Sequence, residues 1–345
     1  MRNILVTGGC GFIGSNFIRY VLNIDNEVRI INIDKLTYAG NPENLLGIEK
    51  QYSERYDFIK GDICNLELVE HVFSRFNPDV VVNFAAESHV DRSIHDPNIF
   101  IQTNVLGTAV LLSTAKKFWR VDLESKRFLQ VSTDEVYGTL PENDPSIKFT
   151  ENTPLQPHSP YSASKTSADC LVKSYFDTFG FPSLITRCSN NYGPYQFPEK
   201  LIPLIIHNAL NDKNLPVYGD GKQIRDWLYV DDHNDAIITV LKNGNTGEVY
   251  NIGGNNEIKN IDIIKMILQY LNKPESLITY VKDRLGHDRR YAIDASKINN
   301  ELGWEPKFKF QDQIKFTIEW YLSNEEWVRN VISGEYQNWI DKNYK

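Results

Sequence analysis

The sequence predicts an α/β fold, a doubly wound parallel sheet with helices on both faces, followed by a smaller α/β region. Three observations carry that prediction. Apolar β-rich runs at 3–6, 28–33, 57–59, 80–84 and 128–131 alternate with segments of helical period, the pattern of successive βαβ crossovers. The first run ends in a cluster of glycines that opens directly into a helical segment. Near Cys188, after one more strand pattern at 181–187, proline and aromatic residues break the alternation. The expected division is therefore a Rossmann-type region at 1–187 and a smaller region at 188–345, with crossovers back to the first.

Bulk composition narrows the class. At 345 residues, 41% hydrophobic and 24% charged, the chain can bury a sizeable core. Its 37 Lys and Arg against 45 Asp and Glu leave a formal charge of −8, which argues against nucleic acid and anionic membrane as partners, since both are polyanions. Any anionic ligand has to meet a local basic cluster. No apolar run approaches the roughly 20 residues of a bilayer span. Cys10, Cys64, Cys170 and Cys188 have no metal-ligand spacing, and the chain starts on a strand pattern without a signal peptide, so no metal and a cytoplasmic location are expected.

The elements follow in order. A helical pattern at 15–22 succeeds the glycines, and another at 102–119 is apolar over a broad arc through Val105, Leu106, Ala109, Val110, Leu111 and Leu112. That arc exceeds one sheet-facing side, so it predicts either a homodimer face shared with the helix that carries Tyr161 or cover by a neighbouring loop. In the smaller region a helical run at 261–271 and a short helix between Asp294 as N-cap and Gly303 as stop alternate with strands such as 248–252. The tail from Asn324 carries Trp327, Tyr336 and Trp339 among charges, with packing as its expected use.

The glycine loop is the first functional signal. Gly8, Gly11 and Gly14 stand three apart between strand and helix, where the backbone turns tightly and free helix amides can meet a pyrophosphate. Alone, such a loop is an ordinary tight turn. Asp34, 26 residues after Gly8 at the end of the second strand, adds an acid that binds both ribose hydroxyls and repels a 2′-phosphate, so NAD is expected over NADP. Asp62 follows the third strand and suits either a helix cap or an adenine contact.

Tyr161 and Lys165 stand four apart at the start of a helix whose Ala168, Leu171, Val172, Tyr175, Phe176 and Phe179 repeat at helical spacing, so both share one face. A nearby ammonium favours phenolate, as a tyrosine base requires. The pair also occurs as an incidental surface couple; behind a dinucleotide loop, catalysis is the expected use. Ser132, Thr133, Asp134 and Glu135 follow the fifth strand, at the end where open parallel sheets present ligand-binding groups.

Together Thr7-Gly8-Gly9-x-Gly11-x-x-Gly14, the run from Ser132 to Gly138 and Tyr161-x-x-x-Lys165 resemble the extended short-chain dehydrogenases. The Thr-Asp-Glu run is specifically similar to the nucleotide-sugar 4,6-dehydratases acting on dTDP-glucose. Further similar segments are 85–93, 190–194, 223–227 and 283–291, so the resemblance spans nearly the whole chain. It implies NAD held by Gly8, Gly11, Phe12, Ile13, Gly14, Asp34, Lys35, Leu36, Thr37, Asp62, Ile63, Phe84, Ala85, Ala86, Glu87, Ser88, Thr103, Ser132, Tyr161, Lys165 and Asn191. It also implies a reaction. Tyr161, held by Lys165, takes the sugar 4-hydroxyl proton; Glu135 removes the C5 proton made acidic by the new C4 carbonyl; protonated Asp134 helps the 6-hydroxyl leave as water. The two adjacent acids must then hold opposite protonation states. Thr133 serves the 4-hydroxyl or only ends a strand.

For dTDP-glucose the resemblance implies contacts from Ser88, Thr133, Asn190, Lys200, Leu201, Pro216, Val217, Tyr218, Arg225, Asn260, Asp283, Arg284, Leu285, Gly286 and His287. Arginine forks suit a diphosphate, although each arginine also reads as a surface charge and each asparagine as a turn cap. Leu285 departs from the proline frequent in the family, which makes that loop less rigid and the Arg284 contact less secure. Rival readings are a sugar-nucleotide 4-epimerase, which has no use for Asp134 and Glu135, a GDP- or CDP-sugar dehydratase, and a non-catalytic NAD-binding regulator.

Overall fold

The computed structural model describes residues 2–283 and 285–334. The strands in chain order are β1 (Asn3–Thr7), β2 (Arg29–Asp34), β3 (Tyr56–Lys60), β4 (Val80–Asn83), β5 (Arg127–Thr133), β6 (Ser183–Cys188), β7 (Asn190–Tyr192), β8 (Leu215–Tyr218), β9 (Ile224–Tyr229), β10 (Val249–Ile252), β11 (Glu257–Lys259) and β12 (Ile278–Val281). Seven of them form one sheet in the order β10-β6-β5-β4-β1-β2-β3, parallel at every pairing. This is a Rossmann-type α/β fold. The first six expected strands sit where the apolar runs placed them. β10 comes from beyond residue 188 and pairs with β6 at the sheet edge, so the chain crosses back from the smaller region.

The apolar runs are nearly continuous because both sheet faces are covered. On β1, Ile4 and Val6 join one core cluster with Phe17, Ile18 and Val21 of the Phe12–Ile24 helix and Ile237 and Val240 of the Val230–Asn243 helix. Leu5, between them, joins the opposite cluster with Val69, Val72 and Phe73 of the Leu66–Phe76 helix and Leu111, Leu112 and Ala115 of the Thr108–Phe118 helix. The smaller region has its own core beneath a three-stranded sheet, β11-β9-β7, and the parallel pair β12-β8.

Two helices differ from their sequence patterns in ways that matter locally. The segment expected as one helix at 102–119 begins as a π-helical stretch, Ile101–Gly107, before the α-helix Thr108–Phe118. Within that stretch Asn104 accepts from the Glu87 amide at 2.9 Å and donates to Ser164 Oγ at 2.8 Å, tying it to the cleft side of the fold. The short helix near the end is Ser296–Leu302; its N-cap is Ala295, while the Asp294 carboxylate accepts from the Ser296 amide and left-handed Gly303 ends it as expected. Tyr336 and Trp339 lie outside the described residues.

The helix Pro160–Phe179 starts on a capping box in which Ser159 and Ser162 bond each other's backbone amides, with Pro160 at its first position and left-handed Gly180 at its end. Ser159→Ala removes half of that box. The expected loss is about 1 kcal/mol of unfolding free energy, read from denaturant titration, and an unchanged midpoint would mean that tertiary packing alone fixes this helix start.

Candidate active site

Strands β2 and β3 continue outward from β1 on one side, and β4 returns on the other, so the chain reverses direction across β1. Open parallel sheets bind ligands at the carboxyl ends of such a reversal. A deep cleft lies there, walled by the glycine loop, the ends of β2 to β5, the first turn of the Pro160–Phe179 helix, and residues 188–200 of the smaller region.

The glycine loop fits a dinucleotide on steric grounds. Gly8 has φ +69°, and a side chain there would stand 2.7 Å from the Ala85 backbone. A side chain on Gly14 would stand 2.4 Å from the Gly8 carbonyl oxygen. Gly11 caps the following helix without any side-chain bond to its first-turn amides, and Phe12 and Ile13 of that turn line the cleft. A helix start left open in this way suits an anion. Asp34, buried at the end of β2, accepts from the Cys10 and Leu36 amides, both at 2.8 Å. Burial pushes its carboxyl above the usual range while those two amides oppose the shift. Across the rim Lys35 pairs with Asp62 at 2.7 Å.

At the end of β5 the strand turns into a short 3-10 segment, Asp134–Tyr137, capped by the Thr133 hydroxyl accepting from the Glu135 amide at 3.3 Å. The turn sends consecutive acids into different surroundings. Asp134 is 2% exposed, and its Oδ2 makes no hydrogen bond among the described residues. Burial first, then the charge of Glu135, pushes its carboxyl well above the usual range, against the opposing charge of Arg225. Glu135 stays partly accessible in the same cleft.

Tyr161 and Lys165 both line the cleft, yet the expected direct influence of one on the other is not what dominates. Burial, followed by the Glu135 charge, pushes the Tyr161 phenol up, and Lys165 is absent from the causes of that shift. The Lys165 ammonium donates to the Val131 carbonyl at 2.7 Å, and burial pulls its own pKa down. Residue spacing reports charge attraction but not desolvation, and at this enclosed helix start desolvation is the larger effect.

The chain matches the family described as GDP-mannose 4,6 dehydratase over residues 5–317. It is 54% identical to dTDP-glucose 4,6-dehydratase 1 of Escherichia coli K12, the alignment covering 99% of each chain. The chain belongs to the dTDP-glucose 4,6-dehydratase family. Among solved structures, the dTDP-glucose 4,6-dehydratase of Bacillus anthracis in complex with NAD is 50% identical, covers 96% of this chain and 100% of its own, and superposes with a TM-score of 0.87. That of Streptomyces venezuelae, solved with NAD bound, is 43% identical, with a TM-score of 0.89 and 95% and 99% coverage. UDP-glucose 4-epimerase of Thermotoga maritima is 29% identical, with a TM-score of 0.84 and 94% and 99% coverage.

Within this dehydratase-family cleft, the sequence-selected residues from Gly8 to Gly14, Asp34, Lys35, Thr37, Asp62, Ile63, 84–88, Thr103, 132–135, Tyr161, Lys165, Asn190, Asn191 and Lys200 come together. Leu36 does not join them; its amide holds Asp34 while its side chain packs in the core. Leu201, Pro216, Val217, Tyr218, Arg225, Asn260, Asp283, Leu285, Gly286 and His287 do not wall the cleft either. Several of them gather around buried Gln223, which donates to Asp283 at 3.1 Å and accepts at its carbonyl from the Asn260 amide. Arg225 is buried over the Tyr291 ring, 4.2 Å from its centroid, and donates to the Asp288 carbonyl. Leu285 is 74% exposed, Val217 is core, and Arg284 lies outside the described residues.

Sequence reasoning missed Gln196, Phe197 and Glu199, which also line the cleft. Glu199 lies near His89 and Arg92, at 3.7 and 3.8 Å, and burial raises its pKa. Its only sequence signal was adjacency to Lys200. His233 was also missed. It is fully buried, its pKa pushed down to about 3 by desolvation, and its Nδ1 lies 2.9 Å from Asn191 Oδ1, behind the cleft wall. Among the described residues no cluster of His, Cys, Asp and Glu could hold a metal ion, and no helix is long and apolar enough to cross a membrane.

Asp134 is expected to keep its proton at neutral pH in the ligand-free protein. Infrared difference spectra between wild type and Asp134→Asn should show a protonated-carboxyl stretch that the variant lacks. Its absence from the wild type at neutral pH would mean that the site solvates this acid.

Proposed function

We propose that the chain binds NAD and dTDP-glucose in this cleft and converts the sugar nucleotide to dTDP-4-keto-6-deoxyglucose and water, a step of deoxysugar biosynthesis. One observation carries the reading: two consecutive acids, one fully buried and one accessible, stand beside a tyrosine and a lysine at the end of β5. A 4-epimerase needs only the tyrosine and lysine.

The glycine loop and the open helix start hold the pyrophosphate, and Asp34 takes the adenosine ribose, which favours NAD over its phosphorylated form. Ile63, Phe84 to Ser88 and Thr103 complete the cofactor wall, and Asn191 is held from behind by His233. NAD, when bound, supplies the hydride acceptor for C4, the hydride donor for C6 and a positive charge. Protein groups alone keep the Tyr161 phenol protonated. Lys165 and the positive charge that NAD would bring favour loss of that phenol proton to solvent before the sugar reacts, so that the Tyr161 phenolate takes the proton of the 4-hydroxyl. Thr133 orients that hydroxyl. Glu135 takes the C5 proton, which the C4 carbonyl has made acidic, exchanges it with solvent, and gives a proton back to C5 at the end. Asp134, held protonated by burial, gives its proton to the departing 6-hydroxyl, and water leaves with no net redox change. The nucleoside diphosphate extends out of the cleft towards Arg225, His287 and the residues around Gln223, Lys200 and Leu201 close over it, and Asn190 and Asn260 bond its polar groups.

Tyr161→Phe deletes the proton acceptor for C4 oxidation, so mixing with dTDP-glucose should give no reduced-nicotinamide absorbance. Glu135→Gln should still give that absorbance while turnover falls ~100- to 10,000-fold and solvent deuterium fails to appear at C5. Normal turnover with deuterium at C5 in Glu135→Gln would assign the C5 proton to another group.

The chain pairs into a homodimer through the face that carries Ile101, Leu106 and Phe179, each about half exposed. Leu111 and Leu112 of the same apolar arc are fully buried in the core, so the excess lies on the outer side. All four cysteines are free, in keeping with a cytoplasmic enzyme. Leu106→Glu is expected to shift the mass in size-exclusion chromatography with light scattering from two chains to one. A wild type that elutes as one chain would remove this face as an interface.

A further inference from the structure

Behind Lys165 a line of buried polar and charged groups runs away from the cleft, and the proposed reaction leaves it unused. Lys165 and Asp169 stand one turn apart on the Pro160–Phe179 helix, on one face, 4% and 1% exposed. Asp169 accepts from Arg187 Nε of β6 at 2.9 Å. Arg187 Nη1 donates to the Tyr137 hydroxyl at 3.0 Å, and that hydroxyl donates to Asn251 Oδ1 of β10 at 2.8 Å. Lys165 lines the cleft; Asp169, Arg187, Tyr137 and Asn251 do not.

We propose that Asp169 is a positioning residue that keeps Lys165 charged and aimed at the end of β5, with Arg187, Tyr137 and Asn251 fixing the carboxylate from behind. The proposal rests on the reading that Lys165 assists Tyr161. A buried ammonium with no counter-charge sheds its proton, because desolvation penalises the charged form. Burial does pull Lys165 down, and Asp169 is the first group that opposes it. The other is the Cys188 thiol of β6, itself pushed up to about 12 and therefore uncharged near neutrality. Tyr161 on the same helix and Asp134 and Glu135 after β5 share the cleft, and Arg187 lies behind the carboxylate. Of these, Asp169 alone couples to both cations. Burial pushes the Asp169 carboxyl up, and the Arg187 charge, which cannot be lost, opposes that push, so the ion pair is what favours the carboxylate facing Lys165.

The test is the pH dependence of dTDP-glucose dehydration by the NAD-loaded enzyme. In Asp169→Asn, Lys165 loses its anion, so the alkaline fall in kcat should move about one pH unit or more downward. Turnover near neutrality should drop about tenfold and recover on acidification, with KM unchanged. A purely structural role scales kcat at every pH and leaves the limb in place; that result overturns the proposal. Because Asp169→Asn strands a buried guanidinium, the double variant Asp169→Asn, Arg187→Gln removes both ends of the pair and should show the same displaced limb. Lys165→Met separates the two levels. If it turns over normally, the role given to Lys165 fails; if it is inactive while the limb of both Asp169 variants stays put, only the assignment of Asp169 fails.

Discussion

At the end of β1 the backbone of Gly8 runs so close to the backbone of Ala85 that there is no room for a Cβ between them. This contact sets the geometry of everything around the cleft. β1 sits between β2 and β4, and the close crossing of their loops brings the glycine turn, the end of β2 and residues 84–88 to one edge of the sheet. A side chain at position 8 would push that crossing apart, and with it the helix start at Gly11, whose open amides give the cleft its capacity for an anion. The hydrophobic layers on both sheet faces hold the strands in register but do not create the opening.

Burial then does most of the electrostatic tuning. Asp34, Asp134, Tyr161 and Lys165 are all shifted first by desolvation, and neighbouring charges only adjust the result. A cleft of this kind favours neutral forms, so each group that must work as an ion needs a specific partner. Asp34 has two backbone amides. Asp134 has none at Oδ2, in line with the acid role proposed for it.

Much of this was legible along the chain. The strands were readable because parallel strands covered on both faces are apolar throughout, and the glycine loop, Asp34 and the Tyr161-Lys165 register follow from local spacing. What escaped depends on contacts distant in sequence. The pairing of β10 with β6 joins residues 249–252 to 185–188 across some sixty positions, and nothing in the pattern of β10 distinguishes an edge of the main sheet from a strand of the smaller region. Glu199 meets His89 and Arg92 from a distant part of the chain, and His233 reaches Asn191 from the helix that follows β9, the strand paired with β7. Leu36 looked like its neighbours in sequence, but at φ +58° its backbone turns the side chain into the core while its amide stays on Asp34. The state of Tyr161 was misjudged for a related reason, since spacing reports neighbours and not enclosure.

The epimerase and dehydratase structures share this scaffold with TM-scores of 0.84 and 0.87, so the difference between their chemistries has to lie in something smaller than the fold. In the reaction proposed for this chain it lies in one turn. β5 runs straight through Thr133, whose hydroxyl then caps the Glu135 amide, and left-handed Gly138 ends the turn against the Gln156 carbonyl. Tyr137, at the end of the turn, is pinned by Arg187 and Asn251. A strand continued to Glu135 would place consecutive acids on opposite faces of the sheet. The 3-10 turn instead keeps both at the cleft and gives them unequal enclosure, and unequal enclosure separates the proton affinities of chemically similar groups. The elimination proposed for this chain needs one acid that holds a proton and one that accepts it, and two residues in sequence supply both because the backbone bends between them.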